Sequence, residues 1–212
     1  MGVIKQGILG GFQGAVGSVV GSSWKGINVM KAKPVSVANP RTAGQIAQRT
    51  LMTNCVAFAQ AILASAIKPL WDRFASKMSG YNDWVSANIA QFINPTPALP
   101  EQLVFSRGKM DATFIDSVVA DNSLGTIVVN WTNDAGSGLK LATDEAYAMA
   151  FNQQNGDIYP VVSNRTRNQG SATITANADM QVGNTVHVYL AFRRADGTVV
   201  SNNSYQDTVV QA

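Results

Sequence analysis

No acid occurs before Asp72 in this 212-residue chain, and Cys55 and His187 are its only cysteine and its only histidine. A single cysteine excludes an intramolecular disulfide. One of each excludes a His/Cys metal site, and any Cys–His or Ser–His couple would have to be built around His187. Charge is scarce, at 14% of residues against 46% hydrophobic, which marks a globular rather than a disordered chain. No basic segment leads into an apolar run with a small-residue cleavage pattern, so no signal peptide is expected. A Walker A loop, a dinucleotide fingerprint and a nucleophile elbow are missing, and Gly11-x-x-Gly14-x-x-Gly17 has the wrong spacing for either phosphate motif. These absences assign no catalytic residue, no metal and no cofactor, and the expectation is that the protein is not an enzyme.

Glycine, by contrast, is abundant and clustered. Gly7, Gly10, Gly11, Gly14, Gly17, Gly21 and Gly26 alternate with Val16, Val19, Val20, Trp24, Ile27 and Val29. The β-branched and aromatic residues predict a small hairpin or two short strands, with a glycine-rich loop as the alternative. Ordering so many glycines is entropically costly, so the stretch is expected to be held by close approach to other backbone, from this chain or another. Gly10, Gly11, Gly14, Gly17, Trp24 and Lys25 are the candidate protein-interaction residues, acting by close backbone approach and an anchoring aromatic. Two G-x-x-x-G spacings lie here, but Gln13 and the serines make a poor spanning segment, and membrane insertion is not expected.

Charge divides the chain. Residues 1–100 hold nine Lys/Arg and two acids, a net +7, whereas residues 101–212 hold seven and eleven, a net −4. A basic half of this kind meets something acidic. The cations are thinly spread with no Lys/Arg run, which favours a protein partner over nucleic acid; Lys31, Lys33, Arg41 and Arg49 are the residues that would contact an anion.

Two prolines make 33–40 a linker, and Thr42 with Gln45 reads as a capping box. The helix that follows carries two apolar stripes, Ile46, Leu51, Cys55, Phe58, Ile62 and Met52, Val56, Ala59, Leu63, Ile67. Cys55 is thereby read as a small core residue. Pro69 ends or kinks this helix, or opens a second through Trp71, Phe74 and Met78. Gly80 stops that element, and Asn82 caps a third helix with Trp84, Val85, Ile89, Phe92 and Ile93 on one face. Three prolines from Asn94 to Pro100 predict a stiff spacer.

Beyond it, strands are expected at 103–106, 126–131, 146–152, 157–162, 171–176, 185–193 and 198–205, the spacing of a β-sandwich. Val186, Val188, Leu190 and Phe192 share one face of their strand, and His187, Tyr189 and Ala191 the other. Trp131 resembles the buried core tryptophan of immunoglobulin and fibronectin type III sandwiches. His187 is read as a surface or core-edge histidine rather than a ligand or general base. Asp144-Glu145 is not read as a catalytic pair, since adjacent carboxylates in a strand point to opposite faces; Asp116/Asp121 are read as solvated turn acids, and Asp134, Gly136 and Gly138 as a plain turn rather than a calcium loop.

The predicted class is α+β: arm 1–38, helical unit 39–94, Pro-rich linker 95–100 and an immunoglobulin-like sandwich 101–212. Trp24-Lys-Gly26, Asn39-Pro-Arg-Thr42 with Gln45 and Gln48-Arg49, Tyr81-Asn-Asp-Trp-Val85 with Asn88, and Val200-Ser-Asn-Asn-Ser-Tyr205 together resemble a domain-of-unknown-function family of the Bacteroides lineage and its bacteriophages. That resemblance carries no activity or catalytic residue and implies a virion role. The expected function is therefore that of a structural assembly protein, a capsid, neck or tail component that docks on its own copies or other virion proteins as an oligomer. Its location would be the virion if phage-encoded and otherwise the cytoplasm. The alternatives are a nucleic-acid-binding accessory protein and a carbohydrate- or surface-binding module.

Overall fold

A computed structural model describes residues 3–4, 10–36, 39–176 and 180–212, with Val3, Ile4 and Trp24 described by their backbone alone. The chain divides into two compact units, Met1–Thr42 and Ala43–Ala212. In the first, β1 (Val3–Ile4), β2 (Phe12–Val16), β3 (Val19–Trp24) and β4 (Ile27–Ala32) pair antiparallel in sequence order. Lys25 and Gly26 alone join β3 to β4, with φ of 48° and 82°. Positive φ at both central residues is the type I′ turn, whose twist matches that of the strands it joins.

The second unit opens with α1 (Ala43–Ala61). Cys55, Phe58, Ala59, Ile62 and Ile67 are buried as their spacing predicts. A 67° bend separates α1 from the segment Leu63–Trp71, which runs through a π turn into α2 (Lys68–Trp71) with Pro69 in its first turn. The expected continuation through Phe74 and Met78 is corrected, since both lie beyond the helix and are exposed. Trp71 is buried and its indole N–H donates to the Phe105 carbonyl at 2.9 Å, which holds the helix end in the core. Gly80 starts an element rather than stopping one. It opens α3 (Gly80–Asn88) beside Asp72, where a Cβ would lie 2.5 Å from the Asp72 backbone nitrogen. The cap is Ser79, not Asn82: the Ser79 hydroxyl accepts from the Asn82 amide at 3.3 Å.

Among the described residues seven strands follow: β5 (Ser117–Asp121), β6 (Thr126–Asn130), β7 (Glu145–Asn152), β8 (Val162–Thr166), β9 (Ser171–Thr175), β10 (Thr185–Arg193) and β11 (Ser204–Val209). They form a three-stranded sheet ordered β5-β6-β9 and a four-stranded sheet ordered β11-β10-β7-β8, the cross-connected arrangement of immunoglobulin-like sandwiches. The sequence reading missed β5 and placed a strand at 103–106, where Leu103 and Phe105 are buried in irregular backbone. The strands expected at 157–162 and 198–205 lie further along, because pairing with β7 and β10 rather than local apolar content sets their registers.

One face of β10, Val186, Val188, Leu190 and Phe192, packs with Ala146, Ala148 and Ala150 of β7 against Val118, Ile127, Val129 and Ile174 of the other sheet. The opposite face, Tyr189 and Ala191, joins Tyr147, Met149 and Phe151 in a second core with Phe58, Trp71, Trp84 and Phe92 of the helical segment. The second unit thus has three layers, helices on sheet on sheet, with its central sheet covered on both sides.

This overturns the spacer expected at 95–100. Pro97 and Pro100 are buried, and the Pro100 carbonyl accepts from the Tyr189 hydroxyl at 2.6 Å. The Asn88 side chain ties α3 to Val104, donating to its carbonyl at 3.0 Å and accepting from its amide at 2.8 Å. A proline run that cannot continue a helix is here pinned to the sheet, and the helices and sandwich share one body.

Candidate docking interface

The glycines of the first unit do two different jobs. Gly17 (φ 59°) turns β2 into β3, and Gly14 (φ 102°) sits within β2 opposite Gly21. At Gly11 a Cβ would run into the Asn28 amide group, and at Gly21 into the Phe12 carbonyl and ring. Close approach is therefore required at Gly11 and Gly21, whereas Gly14 and Gly17 answer to backbone angle. Gly21 was absent from the sequence-derived interaction set. The signal for it was its place at the centre of a β-branched strand.

Gly10 and Gly11 line a cleft of about 240 Å³ with Phe12, Asn28, Val29 and Met30. Lys25 forms the β3–β4 turn, Lys31 sits in β4 opposite Val20, and the Lys33 amide donates to the Ser18 carbonyl at 2.7 Å. Trp24 ends β3 opposite Ile27, and its expected anchoring role concerns a side chain outside those described. Gly7 lies outside the described residues too. Of the four candidate anion-contacting residues, Lys31, Lys33 and Arg41 belong to the first unit and Arg49 to α1 of the second.

Apolar side chains on this sheet face water: Val16, Val19, Val29, Ile27 at 61% and Met30 at 72% exposure. By register, Val16, Val19 and Met30 share one face and Val20, Ile27 and Val29 the other. Unit 1 carries Lys5, Lys25, Lys31, Lys33 and Arg41 and no acid, a formal +5, so unit 2 carries −2. The boundary drawn by the fold concentrates the basic charge in the first 42 residues.

Several ionisable groups of the second unit are engaged structurally. Arg167 is fully buried, with Nη1 2.6 Å from Asp134, Nη2 3.2 Å from buried Asp144, and its guanidinium 3.9 Å from the Phe192 ring centroid. Lys140 reaches Asp134 at 2.5 Å, and Thr113 donates to the same carboxylate. Burial alone would raise the Asp134 pKa, yet hydrogen bonds from Lys140, Arg167 and Thr113 hold it below its ordinary value. The turn residue Asp134 is thus also a tethered ion-pair partner, and Asp144 is fully buried. Glu145 pairs with Arg193 at 3.2 Å. Among the described residues, no group of three or more His, Cys, Asp or Glu is disposed to hold a metal. Burial pushes the Cys55 thiol up to about 11, which leaves it protonated and inert at neutral pH.

His187 sits between Phe151, 5.0 Å away, and Tyr205, whose hydroxyl is 2.8 Å from Nδ1. Burial lowers its pKa, opposed by the charges of Asp207 and Glu101. A base with a depressed folded pKa favours folding while neutral, so its contribution is complete above the unfolded value of about 6.5 and is lost as pH falls toward the folded value. Stability should therefore drop as pH falls through and below about 6.5, and His187→Gln should flatten the profile in that range. Urea midpoints across it would check this; parallel profiles for both proteins would refute it.

The comparisons with known proteins concern the chain as a whole. A model described as a family of unknown function (DUF6266) matches residues 11–207. No curated protein matches the sequence. Among solved structures, the FN1–FN3 domains of chicken CNTN1 are similar at 12% identity and a TM-score of 0.34, covering 50% of this chain and 33% of that one. The adhesin domain of Epf from Streptococcus pyogenes is similar at 13% and 0.35, covering 48% and 33%. The matches span a third of either structure. Likeness this slight carries no argument, and the sandwich rests on the strand order above. No single described helix is long and apolar enough to cross a membrane.

Proposed function

We propose, for a chain that belongs to the family of unknown function DUF6266, a non-enzymatic structural role: a subunit of a larger assembly, docking through its N-terminal sheet. The observation that carries this reading is a sheet of four strands, basic without a single acid, that exposes β-branched side chains on both faces. Sheets of this size are marginal unless an apolar face is covered, and a partner that covers this one with acidic groups would gain both apolar burial and charge complementarity. The resemblance to proteins of the Bacteroides lineage and its phages supports a virion as that assembly, with other copies or other virion proteins as partners.

Gly21→Val tests it. The new side chain would meet the Phe12 carbonyl and force β2 off β3, so assembly should be lost. Unit 2 should unfold within about 0.5 kcal/mol of wild type, as for changes remote from a core. Light scattering after size-exclusion chromatography reads the first outcome and thermal unfolding the second. Variant and wild type assembling alike would remove the docking role. The same acid-free sheet favours a second reading, contact with a polyanion through Lys25, Lys31 and Lys33. That reading requires affinity for nucleic acid that falls steeply between two salt concentrations in a mobility-shift titration.

A further inference from the structure

β8 and β9 are edge strands of different sheets, and a polar cleft of about 370 Å³ lies between them. Ser163, Asn164 and Arg165 of β8 and Thr173 and Thr175 of β9 line it, together with two valines. A regular strand turns successive side chains to opposite faces, so three consecutive residues need a reason to share one cleft. β8 supplies it. Arg165 lies opposite Ala146 and Val162 opposite Ala148, which leaves Ser163 and Asn164 both facing Tyr147. One extra residue of this kind is a β-bulge, and it re-aims the side chains beside it. On β9 the alternation is regular: Ala172 and Ile174 are in the core, and Thr173 and Thr175 are exposed.

The backbone of β9 adds donors. The Trp131 amide donates to the Gly170 carbonyl and the Ala176 amide to the Gly125 carbonyl, each at 2.9 Å, and these two bonds bracket the ladder between β6 and β9. Bonded and non-bonded pairs alternate along an antiparallel ladder. Ala172 and Ile174 therefore turn their N–H and C=O groups to β6, and Thr173 and Thr175 turn theirs to the free edge. Among the described residues, none of the five polar side chains has a hydrogen-bond or ion-pair partner.

We infer that this cleft is a site for an oxyanion group, a carboxylate, phosphate or sulfate, carried by a ligand. The donor set decides the class. Its one charge is the Arg165 guanidinium, whose planar fork aims two N–H groups at two oxygens of such a group. The Asn164 amide, three hydroxyls and the free-edge N–H groups supply neutral donors around it. No Asp or Glu lines the cleft to attract a cation, and no aromatic ring lines it to stack a base. The second unit has a formal charge of −2, so a general positive field does not account for the site. Its selectivity rests on local geometry, which the bulge provides.

Sodium phosphate, sodium sulfate and sodium acetate, each titrated at constant ionic strength into the isotope-labelled full chain, test this by nuclear magnetic resonance. The Thr173 and Thr175 amide signals and the Arg165 Nε–H signal should move together along one saturating curve. The ions that produce it separate tetrahedral from planar oxyanions; phosphate and sulfate alone, acetate alone, or all three each support the site. Arg165→Gln should weaken binding at least tenfold and Thr173→Val severalfold, with the thermal midpoint unchanged because both side chains are exposed. Lys31→Gln combined with Lys33→Gln should leave the curve where it is, which separates this site from any anion contact of the N-terminal sheet. No saturation with any of the three ions, shifts reproduced by sodium chloride alone, or a curve unmoved by Arg165→Gln would each overturn the proposal.

Discussion

Replacing Arg167 with alanine is expected to destabilise the protein by about 3–5 kcal/mol, the usual cost of breaking a buried ion pair from one side. The guanidinium neutralises Asp144, which is itself fully buried, and reaches Asp134 and the face of Phe192. Asp144 Oδ1 already has no hydrogen-bond partner, and loss of Arg167 would leave Oδ2 with only the Leu141 amide at 2.8 Å. A buried carboxylate so exposed to low dielectric must either protonate or open the structure. The penalty therefore belongs to the stranded charge more than to the pair, and Asp144→Asn in the same chain should recover a substantial part of it. Urea titrations of Arg167→Ala, Asp144→Asn and the double variant form the cycle. An Arg167→Ala change below about 1 kcal/mol would show that water reaches the cluster.

A chain beginning at Leu99 should fail to fold, although the sequence reading would leave its sandwich intact. Cutting there removes Phe58, Trp71, Trp84 and Phe92, which cover Tyr147, Met149, Phe151 and Tyr189 of the central sheet. Three aromatic side chains of roughly 150–250 Å² each would return to water. At about 25 cal/mol/Å² that is roughly 11–19 kcal/mol as an upper bound, against a typical domain stability of about 5–15 kcal/mol. A chain spanning residues 43–212 keeps both cores and should unfold cooperatively with a midpoint near that of the full chain. Circular dichroism and thermal melts of the two truncations decide it. A soluble, cooperatively folded 99–212 fragment would mean that the helical layer is an accessory.

Local chemistry accounts for what could be read directly. Val186 to Phe192 alternates with a period of two, and the structure puts its two faces into the two cores that the alternation separates. Cys55, Phe58 and Ile62 recur at helical spacing and are buried together for the same reason. The Lys25-Gly26 turn is likewise local, since two residues with positive φ suffice to reverse a strand. The prolines from 95 to 100 said that no helix continues there. They could not say whether the stretch spans water or lies on a sheet, because that depends on the Tyr189 hydroxyl, 89 residues along the chain from the Pro100 carbonyl it reaches.

The ion cluster was illegible for the same physical reason. Asn164-Arg-Thr-Arg-Asn168 has the composition of a solvated loop, and Arg167 is buried only because Asp144 and Asp134 arrive from 23 and 33 residues away. Gly21 shows the boundary most sharply: glycine at that position signals an unusual demand on the backbone, while the Phe12 carbonyl and ring that make the demand are supplied by strand pairing. The sequence by itself determined the periodicities, the turns and the acid-free, glycine-rich start, all of which depend on neighbours a few residues apart. Only the tertiary structure decided which faces were covered, which charges were paired and where the chain divides, because those outcomes are set by contacts between segments distant in sequence.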